Sequence, residues 1–159
     1  MKHKLIHAFL VAVLGAVAAT SAAQAAPPTR TTEPPFDFET SLFCGFPLRS
    51  ETLQNNVKIT TFSDGRQIVT GRRTVRLTNV STGTSLVVTD AGHLTTDPAQ
   101  TVDTFTGSLL LPLFPGEPFG PGVYLFDGKV VATFAPGGFF YANLDVTGRR
   151  VDLCAALRG

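Results

Sequence analysis

The feature that most constrains the fold is a series of short β-rich runs, which begins at Phe36 and continues almost to the C-terminus. Thr, Val and Phe dominate the runs, and Gly, Pro, Asn and Asp break them, as is typical of strands joined by tight turns. No segment shows the apolar spacing of an amphipathic helix. The runs cover residues 36–44, 57–61, 67–80, 85–90, 101–111, 123–126, 129–135, 139–146 and 151–157. The sequence therefore predicts an all-β fold, a single antiparallel domain of about eight to nine strands connected as a meander.

Glycines inside this pattern are interpreted as turns or irregularities. Asp127-Gly128 lies between two apolar runs and predicts a hairpin, because a type I′ turn needs positive φ at both central residues. Thr147-Gly148 predicts another turn, before the final strand. Gly71 interrupts the long run 67–80 and predicts a bulge there.

The only two cysteines lie near the ends of the strand pattern, at Cys44 and Cys154. In an exported protein such a pair is expected to form a disulfide, and two thiols with one remaining His make an incomplete zinc site. A disulfide would bring the first and last strands together, which favours an up-and-down barrel over a two-sheet sandwich. Alternation in the last run places Val151, Leu153 and Leu157 on the face opposite Cys154, so the sequence leaves open whether Cys154 faces the core.

Residues 1–25 have the features of a cleaved signal peptide. Lys2 and Lys4 precede an apolar run, and Ala23-Gln24-Ala25 provides a small-x-small cleavage site. The run is shorter than the roughly 20 residues that span a bilayer, so no stable membrane span is expected after cleavage. We therefore expect a secreted protein, either extracellular or periplasmic.

The domain is expected to begin after a linker. Residues 26–35 contain four prolines and no apolar periodicity, which predicts an extended N-terminal linker. The all-β domain is then expected to occupy residues 36–159.

Composition argues against several kinds of partner and chemistry. The chain has 13 Lys plus Arg and 12 Asp plus Glu, a balance that does not support nucleic-acid binding by bulk charge. After residues 1–25 are removed, His93 is the only histidine, and Asp90 and Asp97 lie nearby in sequence. An enzyme that uses His93 with either aspartate is the least favoured hypothesis, because His and Asp are ordinary turn residues in such a loop. We predict no catalytic residue, metal ligand or cofactor.

The most unusual segment is residues 112–122, which is rich in Gly and Pro and carries Phe114 and Phe119 on a semi-rigid loop. Together with Tyr124 and Phe140, these two residues are the candidate ligand-binding side chains, placed near the entrance of the predicted barrel. A second candidate surface is formed by Arg72 and Arg76, which share one strand face by parity.

Two functional hypotheses follow. The first is a secreted, monomeric, non-catalytic barrel that binds a small apolar ligand in a Phe-rich interior. The alternative is a secreted β-sandwich that acts as an interaction or adhesion module for an extracellular protein or a cell-wall surface, through residues 112–122 or the Arg72/Arg76 face. The absence of Trp and the presence of only two Tyr disfavour a glycan-binding module.

Overall fold

The computed structural model describes residues 26–158, and the predicted signal peptide lies outside the described residues. These residues form β1 (Thr29–Thr32), β2 (Phe38–Thr40), β3 (Leu48–Asn55), β4 (Lys58–Thr61), β5 (Gln67–Asn79), β6 (Ser85–Thr96), β7 (Val102–Leu113), β8 (Gly122–Phe134), β9 (Tyr141–Asp152) and the helix α1 (Leu153–Arg158). Every strand pair is antiparallel. The predicted all-β antiparallel fold of eight to nine strands is confirmed.

The nine strands form one sheet, in which β5, β6, β7, β8 and β9 lie side by side in chain order. On its other side β5 pairs with β4 along its first residues and with β3 along its second half. The short strands β1 and β2 pair with β4 and β3 at this edge. Among residues 26–158 no ladder joins β9 to this edge, so strand pairing does not close the sheet into a barrel, and it does not divide the strands into two sheets.

Part of the predicted linker belongs to the sheet. Residues 29–32 form β1, which pairs with β4 from Thr29 opposite Thr61 to Thr32 opposite Lys58. Prolines lie on both sides of β1, at positions 27, 28, 34 and 35. This placement suits an edge, because proline cannot donate a ladder hydrogen bond. The prediction of a linker over residues 26–35 is therefore corrected for these four residues.

The predicted disulfide between Cys44 and Cys154 is present, with 5.2 Å between the two Cα atoms. It joins the segment between β2 and β3 to α1, and so ties the beginning of the sheet to its end. Leu48, Leu77 and Leu157 are fully buried in the core cluster that surrounds this disulfide. A second cluster between β7, β8 and β9 centres on Phe126, which is also fully buried.

The prediction of a final strand to residue 157 is wrong beyond β9, because the chain turns into a helix there. The carboxylate of Asp152 accepts a hydrogen bond from the N–H of Ala155 at 3.0 Å, as a helix N-cap does. Leu153, Cys154 and Leu157 are the buried residues of α1. Helical spacing places positions three and four apart on one side, so Cys154 faces the core together with the two leucines.

Five glycines form a straight row across the sheet, one in each strand from β5 to β9. In the register of the four ladders between these strands, each glycine lies opposite the next. The row consists of Gly71, Gly92, Gly107, Gly128 and Gly148. All of them except Gly92 have φ between +124° and +142°. A Cβ added at any of the five would lie 2.1–2.3 Å from a backbone carbonyl oxygen of a neighbouring segment, so only glycine fits without movement of the backbone.

The row corrects three predictions of turns and irregularities. β8 continues through Asp127-Gly128 and β9 continues through Thr147-Gly148, so neither dipeptide is a turn. The β5–β6 register also runs without a shift through Gly71, so that ladder has no bulge there. Positive φ does occur at Gly71, Gly128 and Gly148, but it occurs inside strands. Aligned glycines of this kind are a known means of bending a sheet.

Candidate functional site

Two adjoining cavities lie among the side chains of β5 to β9 and the N-terminal segment. The larger has a volume of about 210 Å³ and the smaller about 120 Å³. Both are lined by Glu33, Arg73, Leu94, Phe105 and Leu109. An engineered apolar cavity of roughly 150 Å³ binds benzene. The larger cavity therefore has room for a small organic molecule.

The walls of the larger cavity combine an apolar surface with a few ionisable groups. The apolar part comes from Phe36, Phe105, Leu109, Leu111 and Val130, among others. The ionisable groups are Glu33, Arg73, Asp103 and Tyr141, and Asp90 lines the adjoining smaller cavity. A mainly apolar pocket with a few polar groups is the usual composition of a small-molecule site.

Arg73 is the centre of a buried ion-pair cluster. One terminal nitrogen, Nη2, donates to Asp90 Oδ2 at 2.6 Å, and the other, Nη1, donates to Glu33 Oε2 at 3.2 Å. The ring of Phe36 lies 4.6 Å from the guanidinium carbon, which is within the range of a cation–π contact. The Arg73 and Asp90 side chains are only 8% and 11% exposed. Such a buried pair requires partners for its remaining polar atoms to offset the cost of desolvation.

Two of these remaining atoms have no partner among residues 26–158. Arg73 Nε and Asp90 Oδ1 are both buried, and neither forms a hydrogen bond. An unpaired buried polar atom costs about 1–3 kcal/mol, and more where the group is charged. The cluster therefore lacks a partner for one donor and one acceptor within the described residues, beside the two cavities that its residues line.

Glu33 reaches Arg73 because the segment that follows β1 is held in place by its backbone. The N–H of Glu33 donates to the carbonyl of Val57 at 3.1 Å, and its carbonyl accepts from Asn55 Nδ2 at 2.8 Å. Further along, the N–H of Phe36 donates to Thr52 Oγ1 at 2.8 Å. These bonds fix the N-terminal segment against β3 and the residue before β4, with Glu33 and Phe36 on the cavity wall.

The carboxyls on the wall of the larger cavity have raised pKa values. Burial raises the pKa of Glu33 above its ordinary value; Arg73 opposes the rise and Asp90 adds to it. Burial likewise raises the pKa of Asp103, against the hydrogen bond that Thr96 donates to it at 2.6 Å. Burial, with smaller contributions from the charges of Asp103 and Glu117, raises the pKa of Tyr141 to about 12.

The four aromatic residues predicted to bind a ligand lie elsewhere. Phe114, Phe119, Tyr124 and Phe140 do not line either cavity. Phe114 packs edge-on against Phe140, with 5.7 Å between ring centroids. Tyr124 is buried, its hydroxyl donates to the carbonyl of Phe119, and the two rings are 6.5 Å apart. Each pair therefore joins one aromatic residue of the 112–122 segment to a neighbouring strand or turn, away from the cavity wall.

A buried carboxylate fixes the 112–122 segment. Glu117 is only 8% exposed. Its Oε2 accepts from the N–H of Phe114 at 2.5 Å, and its Oε1 accepts from the N–H of Tyr141 at 2.7 Å. The side chain therefore joins the segment to the first residue of β9.

The structure does not assemble a site around His93 or the arginine stripe. His93 is exposed and its Nε2 lies 3.0 Å from Thr95 Oγ1. Asp90 instead pairs with Arg73, and Asp97 accepts hydrogen bonds from the N–H groups of its own loop, which lower its pKa. Arg76 lies 3.5 Å from Glu51 in an exposed ion pair.

The cavity residues that the sequence analysis missed had a visible signal. Arg73 has the same strand parity as Val75 and Leu77, which are buried. Asp90 likewise shares its parity with Leu86 and Val88, which pack against the core. A charged residue that interrupts an apolar face on each of two strands is a signal for a buried ion pair. Arg72 and Arg76, which were predicted as a candidate surface, lie on the opposite, exposed face of β5.

Residues 26–158 contain no group of three His, Cys, Asp or Glu side chains that could hold a metal ion. Within the same range, no helix is long and apolar enough to cross a membrane. Comparisons with protein-family models, with curated proteins and with solved structures found no match to this chain.

Proposed function

We propose that this chain is an exported, non-catalytic protein that binds one small, mainly apolar molecule in the two adjoining cavities. The observation that carries the proposal is the larger cavity, about 210 Å³, with its apolar wall and its under-satisfied ion-pair cluster. A packed core has few voids larger than a water molecule, and a cavity of this size deprives its wall of packing contacts. A ligand would supply the missing contacts.

Indole is a suitable first probe, because the chain has no Trp and its own emission does not overlap that of indole strongly. We expect indole emission to shift to shorter wavelength and to saturate as protein is added. The proposal predicts that Ala132→Leu, which adds a larger side chain to the wall of the larger cavity, weakens indole binding by about tenfold. A failure of the native protein to shift indole emission would contradict the proposal.

Ala142→Leu is the matched control. Ala142 lies on β9, the neighbour of the β8 strand that carries Ala132, but its side chain is exposed. We expect this variant to bind indole as the native protein does. Equal weakening by both substitutions would place the probe outside the cavities, and the proposed binding site would then be wrong.

A second candidate function is favoured by the exposed aromatic residues at the turn before β9. Phe139 is 88% exposed and Phe140 is 49% exposed. Contiguous exposed apolar groups often mark a contact surface, so an extracellular protein or a cell-wall surface is the alternative partner. Phe139→Ser with Phe140→Ser should abolish pull-down of such a partner while leaving indole binding intact. Unchanged pull-down would rule out this surface.

A further inference from the structure

The ionisable groups on the cavity walls are mostly acidic. Glu33, Asp90 and Asp103 contribute three carboxyls, and Arg73 contributes the single guanidinium among the residues that line the two cavities. Tyr141 also lines the larger cavity, and burial raises its pKa to about 12, so it remains neutral. With its carboxyls ionised, the wall therefore carries more negative than positive charge.

Both terminal nitrogens of the guanidinium are already paired, and its Nε, unpartnered within the described residues, is itself buried. Each terminal nitrogen of Arg73 already donates to a carboxylate, at 3.2 Å for Glu33 and 2.6 Å for Asp90. The ring of Phe36 lies against the guanidinium, 4.6 Å from its central carbon. An incoming carboxylate would have to displace Glu33 or Asp90 and leave that group charged and unpaired in an apolar site, which is costly.

The carboxyls, in contrast, have unused capacity to accept hydrogen bonds. Asp90 is nine-tenths buried and lines the smaller cavity, and its Oδ1 is buried without a partner in the part of the chain that the structure describes. Asp103 accepts from Thr96 through Oδ1 alone within residues 26–158. Glu33 gives only Oε2 to Arg73. Each ionised carboxylate can accept about four hydrogen bonds, so this wall is suited to a ligand that donates several.

We infer, on the basis of the proposed function, that the ligand is a small apolar amine whose protonated nitrogen pairs with a carboxylate on the wall of the larger cavity, that of Glu33 or that of Asp103. An ammonium group has three donors and no acceptor, which suits carboxylates that have free acceptor positions. It also neutralises the excess acidic charge, while the hydrocarbon part packs against the apolar wall formed by Phe105, Leu109 and Val130.

The test compares n-octylamine, n-octanol and n-octanoate, which are unbranched molecules of eight carbon atoms each with different polar ends. Titration calorimetry at neutral pH should show n-octylamine binding at least about tenfold more tightly than n-octanol, the factor expected for one added charge-assisted hydrogen bond. We expect n-octanoate to bind most weakly.

Charge-neutralising variants locate the contact. The variant that removes the paired carboxylate, Glu33→Gln or Asp103→Asn, should weaken n-octylamine binding about tenfold. Both variants should leave n-octanol binding unchanged, which also shows that they are folded. Asp145→Asn is the control, since Asp145 is exposed on β9 and lines neither cavity. It should bind all three probes as the native protein does.

The outcomes separate this inference from the function on which it rests. Equal binding of n-octanol and n-octylamine, or tightest binding of n-octanoate, would overturn the amine assignment and leave the apolar binding site in place. An n-octylamine preference that survives both cavity variants would also overturn it. Binding of none of the three probes, together with no shift of indole emission, would contradict the proposed function itself.

Discussion

Gly128→Ala should destabilise the sheet strongly, because two separate costs meet at this position. Gly128 lies in the middle of β8 with φ +140°, opposite Gly148 of β9. A Cβ there would lie 2.2 Å from the carbonyl oxygen of Thr147, far inside ordinary contact distance. The substitution therefore forces an L-residue into an unfavourable backbone conformation and pushes β8 and β9 apart at the same level.

The magnitude follows from these two costs. Positive φ costs an L-residue about 1–2 kcal/mol, and weakening two ladder hydrogen bonds costs about 1 kcal/mol each. Alanine lowers the entropy of the unfolded chain relative to glycine, which returns roughly 0.4–1 kcal/mol. We expect a net loss of about 3 kcal/mol, or a fall in melting temperature of roughly 10 °C for a domain of this size.

Stability is measured by urea unfolding, followed by far-ultraviolet circular dichroism. Substitutions of two other glycines, measured in the same way, separate the two costs. Gly137 has φ +101° but open space around it, so Gly137→Ala carries the backbone cost alone. Gly92 lies outside the positive-φ region, but a Cβ there would meet the Thr106 carbonyl oxygen at 2.3 Å, so Gly92→Ala carries the overlap alone. Gly128→Ala should lose the most stability. Equal losses for Gly128→Ala and Gly137→Ala would refute the overlap argument.

Three further predictions concern the disulfide and the carboxyls. Replacing Cys44 and Cys154 with Ala opens a loop of sequence separation 110 and should lower the free energy of unfolding in urea by up to about 4.7 kcal/mol; sedimentation should show a monomer before and after. The raised pKa values of Glu33 and Asp103 mean that the folded state binds more protons above the ordinary values. Stability should therefore fall as pH rises from those values through the raised ones, and Glu33→Gln with Asp103→Asn should flatten this part of the profile. The pKa of Asp97 is lowered, so this carboxylate has the opposite effect on stability. Its stabilising contribution is present above pH 3.8 and should disappear as pH falls through the pKa of the folded state, and Asp97→Asn should remove this dependence.

Much of the fold could be predicted because alternation and turn residues are local signals. The run 67–80 became β5 almost to the residue, and the disulfide followed from two cysteines and the expectation of export. The helix α1 was missed because it has only six residues, which is too short to show helical periodicity. Closure of the sheet could not be decided, because it depends on which edges meet in space rather than on any local pattern.

The glycines were misread for a specific physical reason. Positive φ makes Gly128 favourable both in a type I′ turn and in a kinked strand, and the local sequence Asp-Gly is the same in both. What distinguishes the two is the alignment of Gly128 with Gly107 on one side and Gly148 on the other. That alignment is a property of strand register, and it becomes visible only when the strands are paired.

The candidate site was not predicted from the sequence, because large aromatic residues are a more conspicuous signal than a single charged residue on an apolar strand face. Phe114 and Phe119 are unusual in sequence, but aromatic side chains are usually packed against one another where a core is available. Arg73 and Asp90 are ordinary in type, yet each shares its strand face with apolar residues that belong to the core or pack against it. Their pairing across β5 and β6 follows from the register, which places Arg73 opposite Asp90.

The glycine row and the cavity are physically linked through Gly92. Gly71 and Gly92 both line the smaller cavity, so the strands that pass it contribute no side chain at this level. A Cβ on Gly92 would also lie 2.6 Å from Cζ of Phe105, the ring that lines both cavities. Gly92→Ala should therefore push this ring toward the larger cavity and weaken indole binding, whereas Gly137→Ala should not. If Gly92→Ala binds indole like the native protein, the ring moves away from the cavity, and the row bends the sheet without setting the cavity volume.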